Sequence, residues 1–192
     1  MARQPRIFAA FVRSSLDTVD RVDAALGARV RGRLRPETVR ALDEATSVSF
    51  VPVDLDVDVT ESLFAEAGTA RACEVMRENL SLTFESPLLS ALVSGGLRLL
   101  GRSPARLLGW SSKFWSQLYR DSGTMDFVSD GTHAGRLVLR DLPPCIAASR
   151  PYLLGMAAAL GASFEMMDLE GEAQLGAVDV AAGSAEICVS WK

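Results

Sequence analysis

The sequence predicts an α+β fold in which a helical N-terminal layer packs on a C-terminal antiparallel sheet of about four to five strands. Two observations carry this. Up to about residue 120, apolar side chains recur mostly at helical spacing. From Thr124 to Trp191 the order instead reads strand, turn, strand, one long apolar helix and three short strands. At 192 residues the chain is expected to form one domain, with residues 1–120 mainly helical and 121–192 supplying the sheet and one helix.

The opening stretch, Arg6 to Val12, fits either a short strand or the lead-in to a helix. From Ser15, the spacing of Leu16, Val19, Val22, Leu26 and Val30 predicts a helix, and Pro36 in a first turn predicts a second over Arg35 to Ala45. Val48, Phe50 and Val51 read as extended before Pro52. The run Val53-Asp54-Leu55-Asp56-Val57-Asp58-Val59 alternates cleanly and reads as an acidic, solvated linker or edge strand. It would lead into a helix beginning near Thr60 and capped by Thr60 or Asp58. The run lacks the central glycine and closing glutamate of a calcium loop, so metal binding is not expected there.

Helices dominate the next sixty residues. Cys73, Met76, Leu80 and Phe84 form one stripe. Pro87 starts a helix carrying Leu88, Leu92 and Leu99, and Pro104 starts another carrying Leu107, Leu108, Phe114, Trp115 and Leu118. The segment from Leu88 to Leu100 is apolar around much of its circumference, which predicts a central helix or an oligomer interface, and Gly95-Gly96 weakens it. Arg98, Arg102, Arg106 and Lys113 flank the following turn, with Trp110 between them, and read either as a solvated helix-turn-helix surface or as a candidate surface for an acidic partner or phosphate.

In the sheet region, Met125 to Val128 and Arg136 to Arg140 flank a turn holding Asp130-Gly131. A helix is expected from Cys145 to Leu160, with Gly161 as its C-cap, followed by strands over Phe164 to Leu169 and Leu175 to Val180 around a Glu170-Gly171-Glu172 turn. The last strand places Ile187, Val189 and Trp191 on one face and Glu186, Cys188 and Ser190 on the other. A helix lined by Leu153, Met156, Ala157 and Leu160 would cover the apolar face.

Composition excludes several functions. Net charge is only -4, so capture of nucleic acid over the whole surface is not expected, although sixteen of the twenty Lys and Arg precede Asp121. Cys73, Cys145 and Cys188 lack metal-site spacing and read as small buried thiols of a reducing compartment. Neither a secretory leader nor an apolar run of membrane-spanning length is visible, which predicts a cytoplasmic protein. The one histidine, His133, sits in a glycine-bearing turn with no nucleophile beside it, and phosphate loops and dinucleotide fingerprints are absent. The chain is not expected to be an enzyme or to carry a cofactor or metal.

The helical first half, the hairpin, the Leu160-Gly161-Ala162 helix end, the Gly171 turn and the closing Ile187-Cys188-Val189-Ser190-Trp191 resemble a large paralogous family of myxobacterial proteins of about this length. That family is similar in layout to the superfamily of vinyl-reductase-type ligand-binding domains, TRAPP vesicle-tethering subunits and haem nitric-oxide sensors. The resemblance implies a sensor or dimeric scaffold with a cavity or interface between helices and sheet. Haem sensors carry their proximal histidine on a helix before the sheet, and no histidine precedes His133 here, so that route to haem is closed. Vinyl-reductase-type domains often carry a C-terminal cysteine cluster, which Cys145 and Cys188 do not form. In one class of TRAPP subunit an acyl chain is attached to a helical cysteine, for which Cys73 is the nearest position.

The expectation for function is a non-enzymatic regulatory or scaffold domain, a homodimer with a protein partner, whose contact is made by Leu88, Leu99, Arg98, Arg102, Arg106 and Trp110. The alternative is a sensor of a small apolar, fatty or aromatic molecule, with a pocket at Cys73, Leu80, Phe84, Leu92 and Met156.

Overall fold

A computed structural model describes residues 4–46, 48–85, 103–165 and 167–192, the side chains of 83–85 excepted. The helix expected from Leu88 to Leu100, the Gly95-Gly96 pair, and Leu88, Leu92, Arg98, Leu99 and Arg102 lie outside the described residues, as does the Phe84 side chain.

The opening segment takes both forms that its composition allows: β1 (Arg6–Phe8) runs directly into α1 (Ala9–Val22). The apolar spacing that predicts one helix from Ser15 to Val30 covers two. Asp23 is extended, and its carboxylate accepts the Leu26 backbone N–H at 2.9 Å, which caps α2 (Ala24–Arg33). Helix α3 (Pro36–Glu44) starts at the expected proline. Strand β2 (Phe50–Pro52) pairs antiparallel with β1, and β3 (Tyr119–Arg120) takes the other side of β1, so a small sheet of order β2-β1-β3 ties the N-terminus to the middle of the chain.

The acidic alternating run is helical, which corrects the expectation of a solvated linker or strand. Helix α4 (Val53–Glu85) begins immediately after Pro52 and bends at Gly68, whose φ is +73°. Val53, Leu55, Val57 and Val59 are all buried, together with Asp56. The first turns of α4 are thus enclosed on opposite sides, and that enclosure imitates the two-residue period of a strand. Asp54 and Asp58 lie one turn apart and grip the start of α3. The Arg35 guanidinium donates to Asp54 at 3.2 Å, while the Arg35 backbone N–H and the Thr38 hydroxyl donate to Asp58 Oδ2 at 3.1 and 2.7 Å. Neither Thr60 nor Asp58 is a cap.

The single helix expected from Pro104 is two short ones, α5 (Pro104–Leu108) and α6 (Ser111–Leu118), parted at Gly109 and Trp110. The larger sheet contains β4 (Thr124–Ser129), β5 (Ala134–Arg140), β6 (Gly171–Asp179) and β7 (Ser184–Trp191) in the order β4-β5-β7-β6, antiparallel throughout. Ile187, Val189 and Trp191 face inward and Cys188 is exposed, as the alternation predicts, which corrects the expectation of a buried thiol at Cys188.

Two corrections concern the region between β5 and β6. The helix expected over Cys145 to Leu160 is broken at Ala148 and Ser149 into α7 (Pro144–Ala147) and α8 (Arg150–Glu165), and it runs through Gly161, a buried helical position beside Arg77. Phe164 therefore ends a helix instead of starting a strand. Its fully buried ring stacks on Trp191 with centroids 6.0 Å apart. The strand begins at Gly171, where a turn is expected from the sequence.

Helix α8 is sandwiched, with α4 on one side and the β6–β7 end of the sheet on the other. Helix α1 packs on α4, and α6 covers β4. One apolar core joins these layers from Ile7 to Trp191.

Candidate functional site

Among helices α1, α4, α5, α6 and α8, and touching Tyr119 of β3 and Met125 of β4, lies a partly open apolar cavity of about 150 Å³. Met76 and Leu80 of α4, Leu107 of α5, Phe114 and Trp115 of α6 and Met156 of α8 are among the residues of its wall. The wall follows from helix periodicity: Met76 and Leu80 are one turn apart, as are Met156 and Leu160, so two apolar edges face each other across the gap.

At one side the cavity touches a buried chain of polar groups. The Tyr152 hydroxyl donates to Asp56 Oδ2 at 2.6 Å, and the Tyr119 and Tyr152 oxygens are 2.7 Å apart. Each phenol has one proton, so with Tyr152 donating to Asp56, Tyr119 must donate to Tyr152. All three residues are buried. Burial pushes the Asp56 carboxyl up to about 6, with the Tyr152 hydrogen bond opposing the rise. Burial also holds both phenols well above their ordinary range, and the neighbouring Asp56 charge adds to this. Tyr119 is fixed further by the Trp115 ring, stacked 3.9 Å away at 15° between planes, while the Trp115 indole N–H donates to the Gly123 carbonyl at 3.0 Å.

A second buried cluster braces α1 against α4. The Asn79 side-chain N–H donates to Ser15 Oγ at 3.0 Å, and the Thr18 hydroxyl donates to Asn79 Oδ1 at 3.1 Å. Ser15 Oγ in turn donates to the Phe11 carbonyl at 3.3 Å. One other lining residue differs: the buried Ser111 hydroxyl at the start of α6 has no hydrogen-bond partner among the described residues.

Of the pocket residues expected from sequence, Leu80 and Met156 line this cavity, and Cys73 does not. Cys73 is half-buried on α4, and burial pushes its thiol up against the opposing pull of Arg77, which disfavours the reactive thiolate. Of the expected interface residues that are described, Arg106 is exposed and Trp110 is half-buried, with Lys113 Nζ 4.9 Å from its ring centroid. His133 is exposed in the β4–β5 turn. Sequence reasoning missed Asp56, Tyr119, Tyr152 and Ser111. No local signal singles out Asp56, because Asp54 and Asp58 have apolar neighbours on both sides as well.

Among the described residues, no group of three His, Cys, Asp or Glu side chains is placed to hold a metal ion. No helix among them is long and apolar enough to cross a membrane.

This helical layer on a small antiparallel sheet is a fold shared with solved haem-NO-binding (H-NOX) domains. An H-NOX variant from K. algicida, in the unliganded iron(II) form, superposes with a TM-score of 0.68 at 11% identity over 97% of both chains. A T. tengcongensis H-NOX variant gives 0.62 at 12% identity, over 97% of this chain and 98% of the other. A haem protein studied for porphyrin distortion gives 0.65 at 12% identity, over 97% and 95%. No protein-family profile matches the chain, and no curated protein does.

Haem is therefore the group the fold brings to mind, and the cavity does not suit it. Protein ligands to haem iron are chiefly histidine, cysteine thiolate, methionine paired with histidine, or tyrosinate. The chain's one histidine is remote and exposed, and no cysteine lines the cavity. Both tyrosine hydroxyls are engaged with Asp56 or with each other and are held in the neutral form. The thioethers of Met76 and Met156 have no imidazole to work with.

Proposed function

We propose that this chain is a non-catalytic sensor domain that uses the haem-NO-binding fold to hold a small apolar molecule in place of histidine-ligated haem, and reports its occupancy to a partner protein. The observation that carries this reading is the cavity itself. Its volume of about 150 Å³ matches apolar cavities that accept a benzene-sized guest, and its wall is almost wholly hydrocarbon, aromatic and thioether. The wall draws on α1, α4, α5, α6, α8, β3 and β4, so a guest touches elements from both halves of the chain at once. Binding there would stabilise their mutual packing, which is what a sensor needs in order to transmit occupancy. The exposed Arg106 and the half-buried Trp110, close to α6, supply the proposed partner contact. Self-association into a homodimer is part of the same proposal. Acylation of Cys73 is not, because that thiol lies away from the cavity.

Native mass spectrometry of the full chain, before and after incubation with toluene and separately with haemin, tests the reading. The expected result is a released small guest or a one-to-one toluene adduct, with no stoichiometric haem and no Soret band. Stoichiometric haem uptake, or a protein that accepts neither compound, contradicts it.

A further inference from the structure

Asp56 brings a carboxylate to the cavity wall with one oxygen engaged and one without a partner. The residue is 3% exposed, and its Oδ2 accepts the Tyr152 hydroxyl at 2.6 Å. Oδ1 has no hydrogen-bond partner among the described residues, yet the one fully enclosed, unpaired side-chain oxygen or nitrogen among them is Ser111 Oγ. Oδ1 therefore keeps accessible surface, and the space that Asp56 borders is the cavity. No cation answers it among the described residues. The titratable residues they bring to the wall are Asp56, Tyr119 and Tyr152, and Arg35, which packs on this stretch of α4, pairs with Asp54 and Asp58 instead. The Tyr119 oxygen, whose hydrogen is committed to Tyr152, retains only lone pairs. This side of the cavity thus offers a guest acceptors and negative charge.

We infer that the guest is a small primary amine, a ring-sized hydrocarbon carrying a single ammonium group, and that Asp56 is the residue that selects it. The inference deepens the cavity reading above and rests on it. An ammonium has three donors and no acceptor, which complements Asp56 Oδ1 and the Tyr119 oxygen. Its charge also offsets a carboxylate otherwise buried alone, whereas a hydroxyl or amide guest would leave that charge unanswered. The carboxyl loses its proton above about 6, so the charge is present at neutral pH, and the two phenols beside it, on β3 and α8, stay neutral there. Volume limits the hydrocarbon part to about one aromatic ring, which the Phe114 and Trp115 side chains of the wall suit.

Calorimetric titration of the full chain with benzylamine and with ethylbenzene, which differ by an ammonium in place of a methyl, tests this in the wild type and in Asp56→Asn. At about pH 7.5 benzylamine is expected to bind about tenfold tighter than ethylbenzene in the wild type. The order should reverse in Asp56→Asn, where the ammonium has no counter-charge, with ethylbenzene affinity changed by less than about twofold. The asparagine keeps an acceptor for Tyr152, and a melting curve checks that the variant folds. A second measurement needs no variant: at about pH 5 the carboxyl is mostly protonated, so wild-type benzylamine affinity should fall about tenfold while ethylbenzene affinity holds. Ethylbenzene binding as tightly as benzylamine in the wild type would overturn the amine and leave the cavity reading standing. So would a benzylamine preference that survives Asp56→Asn, or a benzylamine affinity equal at the two pH values. If neither compound binds, the cavity reading fails and this inference falls with it.

Discussion

Tyr152 donates its phenolic proton to Asp56 at 2.6 Å across 96 positions of sequence, joining the first turns of α4 to the first turn of α8. Asp56 is 3% exposed. This contact, with Tyr119 behind it, is where the helical half of the chain and the half carrying the sheet share a buried polar group.

Because burial raises the Asp56 carboxyl from 3.8 to about 6, the folded state keeps this proton at pH values where the unfolded chain has lost it. As pH rises from about 4 to 6 the folded state binds more protons than the unfolded state, so the Asp56 contribution to stability falls across that window. Below about pH 4 both states are protonated and the contribution is complete; above about 6 the loss is complete, at roughly 3 kcal/mol. Urea unfolding of wild type and Asp56→Asn at a series of pH values is expected to show that the difference in slope between them is confined to this window. Parallel curves from pH 4 to 7 would contradict it.

Tyr152→Phe removes the donor to Asp56 and leaves the carboxylate buried without that bond. The expected loss at pH 7 is about 2–3 kcal/mol, read from denaturant midpoints. Tyr119→Phe removes only the end of the chain and should cost about 1 kcal/mol. Equal losses in the two variants would mean that the order of donation described here is wrong.

Much of the sheet was legible because its two faces differ. Ile187, Val189 and Trp191 are buried while Cys188 is exposed, so period-two alternation survives in the sequence of β7. The start of α4 was not legible for a different reason. Val53, Leu55, Val57 and Val59 are all buried, and the less buried Asp54 and Asp58, which share one helix face, are also two of the polar positions of an apparent period-two alternation. The end of α8 was misplaced because Gly161 looks like a cap, whereas it is a buried position inside the helix. Leu80 and Met156, two of the residues expected around a pocket that the family resemblance implied, line the cavity, whereas Cys73 does not. Asp56, Tyr119 and Tyr152 meet only through long-range packing, and no local spacing encodes that.

Gly171 offers a separate check of the corrected β6 boundary. A Cβ at this position would lie 2.4 Å from the Phe164 ring, which is fully buried against Trp191. Gly171→Ala must shift that ring and is expected to cost about 1–3 kcal/mol, seen as a lower melting temperature. Unchanged stability would place Gly171 in an open turn, away from the ring.

The central claim is that the cavity, and not a haem site, is the functional feature, and thermal melting with and without saturating toluene tests it most directly. Wild type should melt at a higher temperature with toluene, because a guest that binds only the folded state stabilises it by mass action. Ala159→Phe, which puts a ring into the cavity wall, should show no toluene-dependent shift whatever its own melting point. A wild-type protein indifferent to toluene, or an Ala159→Phe variant with the same shift as wild type, would contradict the account.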